Sequence, residues 1–218
     1  MHQSLCVCSF IPSPKLVTRT RLLLVIHRSE VKKPTNTGRL ATDCLENSET
    51  VVRGERGSQS EPLPLSPDRK PLLLYPAEDA VPLADLAPSL GDQPVTLIVP
   101  DGNWRQAFKV RARVPGLREV QCVTLPASDK PSIYRLRAEF HPHGLATIEA
   151  IARALRILEG PTDGPRIEAA LELPFRSMVE RTLWSRGDLE EAEVTGGIPE
   201  GVFRHDPESG VLAATRAR

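Results

Sequence analysis

The feature that most limits how this chain folds is a set of short, mostly apolar runs. Leu22–His27 (LLLVIH), Leu72–Tyr75 (LLLY), Val95–Val99 (VTLIV) and Val120–Leu125 (VQCVTL) do not alternate with polar residues. Strands of this kind are expected to be buried on both faces, as in a parallel sheet. Three of them run directly into proline, at Pro76, Pro100 and Pro126. Val51–Val52 reads as a shorter strand. Helical patterns alternate with these runs. Asn36-Thr37-Gly38 suits a turn, and Arg39–Glu46 begins a helix behind it. Trp104–Val114 places Trp104, Ala107 and Phe108 on one face, and Arg105, Lys109 and Arg113 on another. Thr147–Leu158 is the strongest helix, with Ile148, Ile151, Ala152, Leu155 and Leu158 as an apolar stripe. A last helical stretch carries Phe175, Met178, Val179 and Leu183, with Pro174 near its start or at a break. Strands alternating with helices predict an α/β fold, a mainly parallel sheet with helices on both faces. Arg53–Pro71 reads as a surface loop. The acidic, then Gly/Pro-rich tail after Gly187 is expected to pack loosely.

A chain of 218 residues is long enough for one ordinary domain with a buried core. Only 4% of it is aromatic, so aliphatic side chains must build that core. Lys and Arg number 28, as do Asp and Glu, for zero net charge. Composition therefore gives no case for nucleic-acid binding, and only local clustering can supply one. No apolar run approaches the roughly 20 residues of a membrane span. The N-terminus lacks the basic start and apolar run of a signal peptide. These features predict a cytoplasmic protein whose Cys6, Cys8, Cys44 and Cys122 are thiols or metal ligands and not disulfides.

In a parallel α/β sheet, ligands collect at the carboxyl ends of strands. Three such ends carry polar loops. After Val95–Val99 comes Pro100-Asp101-Gly102-Asn103-Trp104-Arg105-Gln106-Ala107. Asp101 there either caps the following helix or stands as a carboxylate able to take a proton, and the two roles are compatible. Trp104 reads as a core or staple residue. The second loop leads into Gly144-Leu145-Ala146-Thr147-Ile148-Glu149. Thr147 is either a helix cap or a hydroxyl facing a polar ligand, and Glu149 favours the helix dipole. His141 and His143 read as surface imidazoles. Asn36-Thr37-Gly38-Arg39 is either a capped turn or a niche for a carboxylate or phosphate beneath Arg39. Basic residues gather in these same places: Arg19 to Arg39, Arg105 to Arg113, and Arg135 with Arg137. Each group alone reads as a solvated face; together they would rim a site that holds phosphates.

These segments, taken in order, resemble the DTW-domain family. LIVPDGNWRQA is similar to its Asp-x-Thr-Trp signature followed by Gln-Ala. NTGRLA, LLLYPAEDAVPL, YRLR and GLATIEAIARAL resemble further elements, and LCVC resembles half of an N-terminal cysteine cluster. The resemblance spans about residues 5–186. It implies a tRNA-uridine aminocarboxypropyltransferase with a SPOUT-like fold, a C-terminal trefoil knot and bound S-adenosylmethionine. Residues 1–18 would be the cysteine-containing segment, 19–190 the catalytic domain, and 191–218 the tail. The implied roles are Asp101 as base; Thr37, Gly38, Asn103, Leu125, Leu145 and Thr147 around the donor; and Arg39, Arg105, Arg135 and Arg137 on tRNA. Asn103 stands where the family usually has Thr, and Ala146 where it has Ser. The family's Cys-x-x-Cys is missing ahead of Cys6 and Cys8, so zinc is not expected in this chain. No membrane and no obligate protein partner are expected. A SPOUT-type RNA methyltransferase and a non-catalytic RNA-binding module are the alternative readings.

Overall fold

Five consecutive fully buried aliphatic residues, Leu22 to Ile26, belong in the middle of a sheet covered on both sides. That is where they lie in the computed structural model of the chain, which describes residues 5–33, 36–54, 61–127, 130–136, 144–202, 204–205 and 212–213. In chain order the elements are β1 (Arg21–His27), α1 (Arg28–Val31), α2 (Thr37–Cys44), β2 (Ser48–Arg53), β3 (Lys70–Leu74), β4 (Val81–Pro82), α3 (Leu83–Leu90), β5 (Val95–Asp101), α4 (Trp104–Arg113), β6 (Gln121–Thr124), α5 (Thr147–Leu158), α6 (Gly160–Arg186), β7 (Arg204–His205) and β8 (Leu212–Ala213). The main sheet has six strands in the order β2-β1-β5-β3-β6-β4. All of its pairings are parallel, with Ile26 beside Asp101 at the carboxyl end of the β1–β5 pair. The expected fold class, α/β with a parallel sheet and helices on both faces, is what forms.

The pleat divides each strand between two cores. Leu22, Leu24, Ile26, Leu97 and Val99 face a large cluster shared with α2, α5 and α6. Leu23, Val25 and Ile98 face a smaller one closed by Val110 of α4 and by Leu63, Val114 and Leu117. α5 and α6 pack closely because Gly164 has no side chain. A Cβ there would come within 2.1 Å of the Arg156 carbonyl oxygen.

Three local expectations are corrected. Pro174 neither starts nor breaks a helix; it is buried within the continuous 27-residue α6. α3 was not predicted, because Pro82 and Pro88 interrupt its pattern; Pro82 precedes the helix and Pro88 sits on its exposed side. The stretch beyond Gly187 packs more tightly than its composition suggests. Leu189 and Val194 are buried, and the Thr195 N–H donates to Glu180 Oε2 at 2.7 Å. Among the described residues, no helix is long and apolar enough to cross a membrane.

Candidate active site

The carboxyl end of β5 brings Asp101 to a junction of three segments. Its side chain is buried, with 7% of the residue exposed, and a buried carboxylate requires partners. The Thr147 hydroxyl donates to Oδ1 at 2.5 Å, and Asn36 Nδ2 donates to Oδ2 at 2.5 Å. Asn36 also caps α2, its Oδ1 accepting from the Arg39 N–H at 2.8 Å. The third contact is made by an absence. A Cβ on Gly38 would lie 3.0 Å from Asp101 Cγ and Oδ2, so any larger residue there would press on the carboxylate and shift it by a few tenths of an ångström. A carboxylate has about four lone-pair positions, so two accepted bonds fix its orientation and leave capacity facing outward.

Asp101 does not cap α4. That role belongs to Asn103, whose Oδ1 accepts from the Gln106 N–H at 2.9 Å while Gln106 Oε1 accepts from the Asn103 N–H at 2.8 Å. Gln106 Nε2 continues to His27 Nδ1 at 2.9 Å and Ser29 Oγ at 3.2 Å, tying the end of β1 to the start of α4. Thr147 is likewise not a cap. Ala146 holds that position, and Thr147 is the first helical residue, with its hydroxyl turned to Asp101. Glu149 is buried and accepts from Ser132 Oγ at 2.6 Å, the Ala146 N–H at 2.8 Å and the Ile133 N–H at 2.9 Å.

Asp101 opens onto a cleft of about 610 Å³, within the usual range for a small-molecule site. Thr37, Asn103, Leu125, Leu145 and Thr147 line it with Asp101. Gly38 stands behind Asp101 instead. Arg39 is exposed and outside the lining, its Nη1 donating to the Val31 carbonyl at 3.0 Å. Arg105 and Arg135 are exposed and also outside the lining. Arg137, His141 and His143 lie outside the described residues. Glu30, Lys33, Asn36, Tyr75, Trp104 and Tyr134 line the cleft without having been singled out as site residues. Asn36 was legible, since Asn before Thr-Gly is a helix-cap signal; its second bond to Asp101 was not. Trp104 is not a core residue. It is 52% exposed at the cleft mouth and Phe108 is 62% exposed, so α4 packs through Ala107 and Val110.

Cys6 and Cys8 bring their Sγ atoms to 2.6 Å, and the Cys8 thiol holds Cys6 below the ordinary thiol range. Cys44 and Cys122 are buried elsewhere, and burial pushes the Cys44 thiol up to about 12. Among the described residues no three metal-ligating side chains cluster. Two thiols do not fit a four-ligand zinc site, and no chemistry is assigned to one.

A fruit-fly (Drosophila melanogaster) protein, tRNA-uridine aminocarboxypropyltransferase 2, is 28% identical over 186 residues, covering 82% of this chain and 70% of its own length. Proteins of that name from Macaca fascicularis and Mus musculus are 33% and 30% identical over 161 residues, covering 72% of this chain. The chain spans about half the length of these two, 54% of each. No solved structure matches. The DTW domain matches residues 1–183, and the chain therefore belongs to the DTW domain family.

Proposed function

We propose that this chain transfers the 3-amino-3-carboxypropyl group of S-adenosylmethionine to N3 of a tRNA uridine. The observation that carries the reading is Asp101, buried, held by two donors and facing the cleft at a strand end. The names of the similar proteins support the same chemistry. S-adenosylmethionine supplies an electrophilic γ-carbon next to a sulfonium. The Asp101 carboxylate takes the N3 proton as the N3–Cγ bond forms. The donor's Cγ–S bond would break with its electron pair going to sulfur, releasing methylthioadenosine. General-base help of this kind is worth about 10²–10⁴-fold. Asn36 and Thr147 hold the base still, and Thr37, Asn103, Leu125 and Leu145 contribute walls that exclude water.

Arg39, Arg105, Arg135 and Arg137 remain our candidates for tRNA phosphates; three of them are exposed outside the cleft, where a large polyanion can reach. Residues 19–190 form the proposed catalytic unit, with segments 1–18 and 191–218 as its flanks. A SPOUT-like trefoil knot and a cytoplasmic location belong to the same proposal, supported by the family and by four free cysteines. Asn103 in place of Thr gives no support to a non-catalytic reading, because it makes a complete capping box. The test is mass spectrometry of unmodified tRNA incubated with the protein and a donor labelled in either its methionine backbone or its methyl group. Backbone label in a uridine supports the proposal. Methyl label alone makes the chain a methyltransferase, and no label with no methylthioadenosine release makes it a binding module.

A further inference from the structure

One ion pair in the cleft wall has no part in the proton transfer. Glu30, on the short α1 that leaves β1, is buried, with 8% of the residue exposed. Lys33 Nζ donates to its Oε1 at 2.6 Å, and the Lys33 side chain is 40% exposed. Among the described residues nothing else bonds the Glu30 carboxylate. Both residues line the same cleft as Asp101. They are also mechanically joined to it, because the Asn36 N–H donates to the Lys33 carbonyl at 3.0 Å while the Asn36 side chain donates to Asp101.

A pair with one half-exposed partner is a poor source of stability, since solvent screens much of the attraction. One placed in a cleft wall has a better explanation in binding. Among the described residues the charged side chains of the lining are Glu30, Asp101 and Lys33, two carboxylates and one ammonium with a formal sum of −1. A sulfonium donor bearing an α-ammonium and an α-carboxylate sums to +1. Leu74, Pro76, Val123, Leu125 and Leu145 of the same lining are apolar.

We propose that Glu30 and Lys33 form a subsite for an amino-acid zwitterion, Glu30 receiving the ammonium and Lys33 the carboxylate of the donor's methionine arm. This rests on the reading that the donor occupies this cleft. Binding exchanges one ion pair within the protein for two to the ligand, and leaves no buried charge unpaired. It also fixes the end of the arm, so the γ-carbon is aimed by its own amino-acid group.

The test is calorimetric binding by the full chain of three ligands: S-adenosylmethionine, its decarboxylated form, and methylthioadenosine, which lacks the arm. Lys33→Met should weaken S-adenosylmethionine roughly 10- to 100-fold and leave the other two unchanged. Glu30→Gln should weaken both amine-bearing ligands by a similar factor and leave methylthioadenosine unchanged. Equal loss of all three ligands, or loss of none, overturns the subsite and leaves donor binding itself intact in the unaltered protein. If the unaltered protein binds none of the three, the donor reading fails and the subsite with it.

Discussion

Two carboxylates stand at neighbouring helix starts and are almost equally buried: Asp101 before α4, and Glu149 in the first turn of α5, with 7% and 6% of each residue exposed. Their partners separate them. Glu149 receives two backbone N–H groups and a hydroxyl, all from the segments that enter α5. It fastens the loop at Ser132–Ile133 to the helix and does not line the cleft. Among the described residues Asp101 receives only side-chain donors, from residues far away in the chain, and it lines the cleft. Burial alone therefore does not distinguish an acid committed to structure from one with bonding capacity left for a ligand. What distinguishes them is whether the backbone has used up the carboxylate.

The strongest way to break this contrast is Asp101→Asn. The amide can still pair with Asn36 and Thr147, so Tm should move by only a few degrees. Transfer to tRNA, followed as methylthioadenosine release in single turnovers, should fall about 10²–10⁴-fold. Full activity would remove Asp101 as the base. Next is Glu149→Ala, which strands two backbone donors and should cost about 2–3 kcal/mol. In a chain of this size that lowers Tm by about 4–12 °C in a thermal melt. A large loss of kcat with unchanged Tm would place Glu149 in the chemistry and erase the distinction. Thr147→Val keeps the shape and removes one donor to Asp101. We expect kcat to drop about tenfold, with Thr147→Ser restoring most of it. The smallest effect should come from Asn103→Thr. Both residues cap helices well, so stability should stay within about 0.5 kcal/mol and turnover nearly constant; a large change would show that the Asn103 amide touches a ligand.

The sequence made the frame readable for a physical reason. Strands buried on both faces leave mostly apolar runs, and β1, β3, β5 and β6 each lie on one of those runs to within a residue or two. Thr147–Leu158 was legible to the residue because its apolar stripe has one period throughout. Prolines hid α3 and the true length of α6, since a proline on an exposed face or at a helix-packing site carries the same letter as a breaker. At the site, the polar strand-end loops were visible, but the assignment of caps was not. Asp101, Asn103 and Thr147 are all good capping residues, and only geometry shows that Asn103 alone serves as one. Glu30 and Lys33 looked like part of a solvated basic segment because sequence does not show which side of a short helix faces a cleft.

The clamp on Asp101 joins residues separated by 65 positions on one side and 46 on the other. No fragment of the chain holds all three until both long crossovers have closed, and closures over such separations are slow steps in folding. A chain that stops short of α5 thus lacks the Thr147 half of the clamp. The bonds that steady the carboxylate therefore form only once the starts of α2 and α5 have met the end of β5.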